Sequence, residues 1–282
     1  VREAGMGWGL DLPSIERQPL SGWPTFNDTA ADPARKDRFS FEGKSLVYLC
    51  VVGQGRCSTG DPTGNESENW AFPTWANGAQ YFRPQVDTLM ARFFFFATQQ
   101  RWRVQLRGGT IMEFGAATTM PGAGGGTAGV DAEGANVSRY KLVRQVDVWG
   151  NTVVYVWRGI GVRGLTYLTD IYDTSNVSSP GDIDAYAHHV QLSWQAPPVV
   201  TYNALHPDRA APDLRLSRVV VTSAPWTGGG AREVVRAYWL RYLGVRSDNG
   251  ETENSPTVGP LWNRSFLASL ETCGKSDVNR AG

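Results

Sequence analysis

Histidine and cysteine are scarce in this 282-residue chain, at three residues each, and no charge of either sign is in excess. Lysine plus arginine equals aspartate plus glutamate at 27 apiece, so the formal net charge is zero. A neutral chain without a basic cluster has no electrostatic reason to seek nucleic acid or anionic lipid. The longest apolar runs, such as Phe93 to Ala97, are far too short to span a bilayer as a helix. Three cysteines are too few and too scattered for a disulfide scaffold. Cys50 and Cys57 are near enough to close a small loop, but the simpler reading is a buried Cys50 on a strand and an incidental Cys57 in a loop. Neither an initiator Met nor a signal peptide opens the chain, which suits a fragment or a processed product of something longer.

Catalytic and ligand motifs are also wanting. The tract Gly122-Ala-Gly-Gly-Gly-Thr-Ala-Gly lacks the Gly-Lys-Ser/Thr ending of a phosphate loop. Gly43-Lys-Ser and Gly274-Lys-Ser have Arg38 and Ser269 where the phosphate loop needs its earlier glycine. His188 and His189 are neighbours on a predicted strand and point to opposite faces, so they do not share one metal; His206 is the remaining histidine. Asp182 and Asp184, with Asp170 and Asp173 nearby, could offer oxygens to calcium, but they lack the full ligand spacing of a calcium loop and read as a solvated acidic loop. No Gly-x-Ser-x-Gly elbow occurs. Glu251-Thr-Glu253 matches the Glu-x-Glu turn of one class of ADP-ribosyltransferases, but the upstream arginine strand is missing and only Val221-Thr-Ser223 approximates the Ser-Thr-Ser strand. The reading is therefore no catalytic residue, no cofactor and no metal.

What is abundant is turn and strand material: 32 glycines, 11 tryptophans, and repeated period-two alternation. Lys141 to Val148 and Val153 to Trp157 predict two strands joined at Gly150-Asn151, residues that tolerate positive φ. Trp102-Arg-Val-Gln-Leu-Arg, then Gly108-Gly109, then Thr110 to Phe114 predict another hairpin. Further strands are expected at Ser45 to Val52, Leu165 to Tyr172, His188 to Trp194, Leu216 to Thr222 and Val234 to Val245. Pro84 to Met90 is the best place for a short helix. Loop signals fill Gln54 to Asn69, Pro121 to Gly134, Ala196 to Pro212 and Asp248 to Pro260. The fold class is all-β, a multi-hairpin sandwich or shell-like module with long loops and minimal helix, spanning residues 1–282 as one module.

One set of strings goes further. Gly7-Trp8-Gly-Leu-Asp-Leu-Pro13-Ser-Ile-Glu-Arg17 is followed by Gly22-Trp-Pro-Thr-Phe and by Asp37-Arg-Phe-Ser-Phe-Glu-Gly-Lys-Ser-Leu-Val. Tyr81-Phe-Arg-Pro-Gln-Val-Asp, Arg101-Trp-Arg-Val and Gly109-Thr-Ile-Met-Glu-Phe-Gly come next. Asp147-Val-Trp-Gly150-Asn151, Tyr167-Leu-Thr-Asp170-Ile-Tyr-Asp-Thr and Arg264-Ser-Phe-Leu-Ala-Ser-Leu complete the series. In this order the strings resemble the N-terminal domain of the Salmonella virulence plasmid B toxins, which also opens the B component of insecticidal Tc complexes. The resemblance implies a non-catalytic β-rich module of a secreted bacterial toxin, part of a shell around a C-terminal payload, beside a propeller and Rhs/YD repeats. It implies other toxin domains or subunits as partners, an extracellular location, and structural roles for the motif residues Gly7, Trp8, Pro13, Arg17, Asp147, Gly150, Asn151 and Asp170. It also places Glu251 and Glu253 outside the region that carries enzyme activity in such toxins. The alternative is a carbohydrate- or receptor-binding β-module facing a host glycan. Trp23, Trp70, Trp75 and Trp226 lie in loop-like segments, and Trp70 and Trp75 are the candidates for stacking on a sugar.

Overall fold

A computed structural model describes residues 9–18, 24–28, 37–58, 72–116, 129–160, 165–175, 183–196, 214–225, 231–242 and 267–275. Strand after strand runs antiparallel to its neighbour, as short connections and alternating side chains require. Two compact units result, one carrying β1–β9 and one carrying most of β10 and the strands that follow it.

In the first unit the strands are β1 (Ser14–Gln18), β2 (Arg38–Phe41), β3 (Lys44–Val51), β4 (Gln80–Pro84), β5 (Arg92–Phe96), β6 (Arg101–Gln105), β7 (Ile111–Gly115), β8 (Val130–Glu133) and β9 (Asn136–Val146). Each of β1 to β6 pairs with the next, β7 pairs with β9, and β9 pairs back onto β1. Eight strands thereby close into a barrel, which removes the edges that an open sheet would leave unpaired. β8 pairs with the N-terminal part of β9 outside the ring. The all-β, multi-hairpin expectation holds, and closure is what the alternation alone did not specify.

The interior is aromatic. Phe39, Phe82, Phe95, Trp102 and Tyr140 meet ring against ring, with Phe95 stacked on Trp102 at 4.6 Å and Phe39 edge-on to Trp102 at 4.9 Å. Offset and edge-to-face pairs of this kind contribute about 0.5–1.5 kcal/mol each beyond their buried area. The run of phenylalanines in β5 breaks alternation because both faces of that strand are covered. Phe93 and Phe95 point inward, while Phe94 packs on the outer face under Tyr81, Trp75 and Phe72. Cys50, Cys57, Val52, Ala76 and Ala79 complete that outer cluster, which the β3–β4 connection folds over the wall. Cys50 and Cys57 form a disulfide within it, and Cys273 is free. This corrects the reading of Cys57 as incidental. The 3-10 turn Gly55–Cys57 carries the thiol back onto the strand that holds Cys50.

The second unit is an antiparallel meander of β10 (Thr152–Arg158), β11 (Tyr167–Ser175), β12 (Tyr186–Gln195), β13 (Arg215–Ser223), β14 (Glu233–Tyr242) and β15 (Leu267–Gly274). Val154, Val156 and Tyr186 form a buried cluster with Tyr172 against it. The predicted strands at Leu165, His188, Leu216 and Val234 are found within a few residues of their expected bounds.

Where a short helix is expected, Pro84 ends β4 and residues 85–90 form bends. The Gln85 N–H donates across the sheet to the Ser45 carbonyl at 2.8 Å, which carries the β3–β4 pairing one residue past Pro84.

Candidate functional site

Arg17 belongs to β1 between Glu16 and Gln18, and β-alternation turns it inward with Ile15. A guanidinium inside a barrel is costly unless every donor is satisfied and its charge is matched. Here all five N–H groups are used. Nε donates to the Val137 carbonyl at 2.8 Å. Nη1 donates to Asp28 at 2.6 Å and to Asp37 at 3.0 Å. Nη2 donates to the other Asp28 oxygen at 2.9 Å and to the Tyr140 hydroxyl at 3.1 Å. The rings of Phe39 and Phe26 flank the guanidinium at 4.8 and 5.1 Å.

The shell around Arg17 is as complete. Asp37 accepts the backbone N–H groups of Thr25 and Phe26, each at 2.8 Å. Tyr140 donates to Gln100 Oε1 at 2.6 Å, and Gln100 Nε2 reaches Asp28 and the Ala97 carbonyl. Burial works against the Arg17 charge, but the Asp28 hydrogen bonds and the fields of Tyr140, Asp28 and Asp37 outweigh it and raise the guanidinium pKa. Burial also pushes the Tyr140 phenol well above its ordinary range. The cluster joins β1, β9, the 24–28 segment and the β5–β6 turn at one end of the barrel.

Asp147, Gly150 and Asn151 come together in one turn. Asp147 Oδ1 accepts the N–H groups of Trp149 and Asn151 at 2.8 and 2.9 Å, and Oδ2 accepts Asn151 Nδ2 at 2.7 Å. These bonds, the Asn151 side chain first, hold the carboxyl below its ordinary pKa. Gly150 takes φ 85°, whereas Asn151 does not enter the left-handed region. The expectation that both Gly and Asn would supply positive φ is therefore half right, since Asn151 acts through its amide instead. Pro13 is half-buried just before β1.

Asp170 lies in β11, within the strand expected from Leu165 to Tyr172, and Asp173 follows in the same strand. His189 Nε2 meets Asp170 at 2.8 Å and His188 Nδ1 meets Asp173 at 2.7 Å, because β11 and β12 pair across these positions. The two histidines use opposite faces, as expected. Burial acts to raise the Asp170 pKa, and the hydrogen bonds from His189 and Thr169 overcome it, so the carboxyl is lowered. Tyr172 stacks on His189 at 4.3 Å, and burial, with Asp170 adding to it, pushes its phenol up to about 12.

Among the described residues no group of three or more His, Cys, Asp or Glu side chains could hold a metal. Trp75 is half-buried, edge-on to Phe94 at 5.1 Å and under the Arg103 guanidinium at 5.1 Å, so much of its ring is already engaged. Gly7, Trp8, Trp70, His206, Glu251, Glu253 and the glycine tract from Gly122 lie outside the described residues.

Sequence reasoning singled out Arg17 but not its partners Asp28, Gln100 and Tyr140. With Arg17 they come from four separate segments, and only the folded barrel brings them together. Other quoted strings also prove to be contact sets: Arg83 pairs with Asp87, and Glu113 meets Arg103 at 2.7 Å and Arg144 at 3.9 Å.

With this geometry the comparisons with known proteins agree. The N-terminal domain of the effector SpvB from Salmonella typhimurium strain LT2 superposes with a TM-score of 0.59 at 15% identity, covering 96% of this chain and 89% of that one. The Tc holotoxin pore of Photorhabdus luminescens gives a TM-score of 0.60 at 13% identity, covering 96% of this chain but 13% of that one. A TcdB2-TccC3 structure lacking the hypervariable C-terminal region gives 0.56 at 14% identity, over 84% and 13% of the two chains. At these identities the superpositions show the fold alone. No curated protein sequence matches. The model of the Salmonella virulence plasmid 65kDa B protein family matches residues 2–211, about three quarters of the chain, and the chain belongs to that family.

Proposed function

We propose that this chain is a non-catalytic structural module of a secreted bacterial toxin, contributing a rigid β-walled piece to a shell that encloses or delivers a toxic payload. The observation that carries the reading is the Arg17 cluster. It is the most highly charged buried site among the described residues, and its guanidinium donors are all spent on the protein's own Asp28, Asp37, Tyr140 and Val137. A group satisfied in this way holds segments together and has no donor left for a substrate. The aromatic filling of the barrel interior supports the same role.

Family membership supports a toxin, and the Tc relatives show this fold as about an eighth of a much longer chain, at 13% of its length. The partners are then the remaining domains or subunits of that toxin, and both units of the chain serve as one module. The Cys50–Cys57 disulfide supports folding in an oxidising, extracytoplasmic compartment. The glycan-binding alternative finds less support, since the Trp75 ring is already engaged by Phe94 and Arg103.

The test is to express the chain and the remainder of its toxin as two separate polypeptides in one cell. One complex on size exclusion is expected, together with no NAD hydrolysis by the chain and a blank glycan array. Separate elution of the two pieces, or turnover by the chain alone, would refute the reading.

A further inference from the structure

Arg92, Gln105, Ile111 and Val146 form one row across β5, β6, β7 and β9, since each is the register partner of the next. Three connections leave the barrel at this row: residues 85–91, 106–110 and 147–151. They lie at the end opposite the Arg17 cluster, because β5, β6 and β9 run the length of the wall between the two. This end is apolar where it meets water. Val86, Met90, Val148 and Trp149 are 68%, 55%, 60% and 84% exposed, and they make up half of the large apolar side chains exposed among the described residues. Trp149 is the most exposed of all. A folded chain leaves one such residue in water without consequence, but four on adjoining loops mark a contact surface.

The loops that carry these side chains are held in place. Asp147 fixes the 147–151 turn with three hydrogen bonds. Val148 lies against Gly109, which takes φ 85° and has no room for a Cβ because Val148 Cγ1 would be 2.5 Å away. Lys44 Nζ donates to Thr88 Oγ1 at 2.5 Å, and Arg83 pairs with Asp87, tying the 85–91 connection to the wall. Met90 is kept at φ 48°, a left-handed conformation that is strained for a non-glycine residue and persists only where its surroundings impose it. An apolar surface already ordered before contact loses little side-chain entropy on binding.

We infer that this end of the barrel is a docking face for another protein domain of the same toxin, with Trp149 as its anchor. The domain presents a concave apolar pocket that takes the indole and supplies an acceptor for its N–H. Charges of both signs surround the apolar residues, with Glu42, Asp87 and Asp147 against Lys44 and Arg107. An apolar centre inside a mixed polar rim is the anatomy of a protein interface, whereas an anionic lipid surface calls for a basic rim. The choice of occupant rests on the module reading above, in which relatives embed this fold in chains far longer than it.

The experiment uses the full-length toxin with p-benzoylphenylalanine in place of Trp149, and separately in place of Val86, so that a folding defect at one position does not decide the result. Irradiation is expected to join both positions to toxin sequence outside residues 1–282. Trp149→Ala is expected to weaken binding in the two-polypeptide assembly about thirtyfold, the loss typical of an aromatic anchor. Adducts only to a second copy of this chain, adducts only to lipid in added phosphatidylcholine–phosphatidylglycerol vesicles, or no adduct would each overturn the inference. If the two pieces co-elute while Trp149 stays unlinked, the docking face is wrong and the module reading stands. Separate elution of the pieces sinks both.

Discussion

Replacing Arg17 with methionine removes the charge and keeps most of the apolar length. The substitution leaves Asp28 and Asp37 inside the protein, their side chains 8% and 1% exposed, without the cation that both contact. It also strips the Tyr140 hydroxyl and the Val137 carbonyl of a donor. Breaking a buried pair by deleting one partner costs about 3–5 kcal/mol, because an uncompensated charge stays behind. Two carboxylates share this arginine, so the upper part of that range is expected. At 1.4 kcal/mol per decade, the amides of β1, β2 and β9 should open and exchange about two to four decades faster. Hydrogen exchange read by mass spectrometry is the suitable assay, since it reports the barrel separately from the second unit, where a single melting temperature would mix them. Arg17→Lys should recover only part of the loss, because one ammonium cannot reproduce five fixed donors. If Arg17→Met exchanged within a factor of about five of the parent, a cost of roughly 1 kcal/mol, the cluster would not be holding the barrel end and the reasoning would fail.

Three further outcomes follow from other parts of the structure. Reducing Cys50–Cys57, which closes a loop of sequence separation 7, should destabilise the outer cluster by about 2–3 kcal/mol on a chain-entropy estimate; a reductant titration followed by exchange at β3 and β4 checks it. Gly115→Ala should destabilise by about 2 kcal/mol or more in chemical denaturation, since φ is 92° and the new Cβ would lie 2.4 Å from the Gln100 carbonyl oxygen; a neutral result would show that the β7 end relaxes easily. Asp170 has a folded-state pKa below its ordinary value, so its contribution is present above about pH 4 and is lost as pH falls from there through the folded value. Asp170→Asn should therefore lower stability at neutral pH and flatten the acid limb of the stability curve, and an unchanged acid limb would remove Asp170 from that account.

Period-two alternation in Trp102 to Arg107, His188 to Trp194 and Val153 to Trp157 was enough to predict strands, because side-chain direction in a strand depends only on the residue's neighbours along the chain. The ordered motifs from Arg17 to Asp170 were likewise enough to indicate a toxin module. Less was legible where local signals conflicted. The phenylalanines of β5 read only as an apolar run, since nothing local says that Phe94 is covered from outside while Phe93 and Phe95 are covered from within. Gln85 stays in the β-ladder with Ser45, a partner far away in sequence that no local helix signal records.

The sequence by itself determined that the chain is β-rich and built of hairpins, and it singled out Arg17 and the Asp147-to-Asn151 turn. Only the tertiary structure decided that β9 returns to β1. That closure brings Arg17 against Tyr140 at one end of the barrel, while the pairing of β5, β6, β7 and β9 gathers Val86, Met90, Val148 and Trp149 at the other. The physical reason is that alternation is set residue by residue along a strand, whereas these groupings join positions up to 123 residues apart, which no local pattern records.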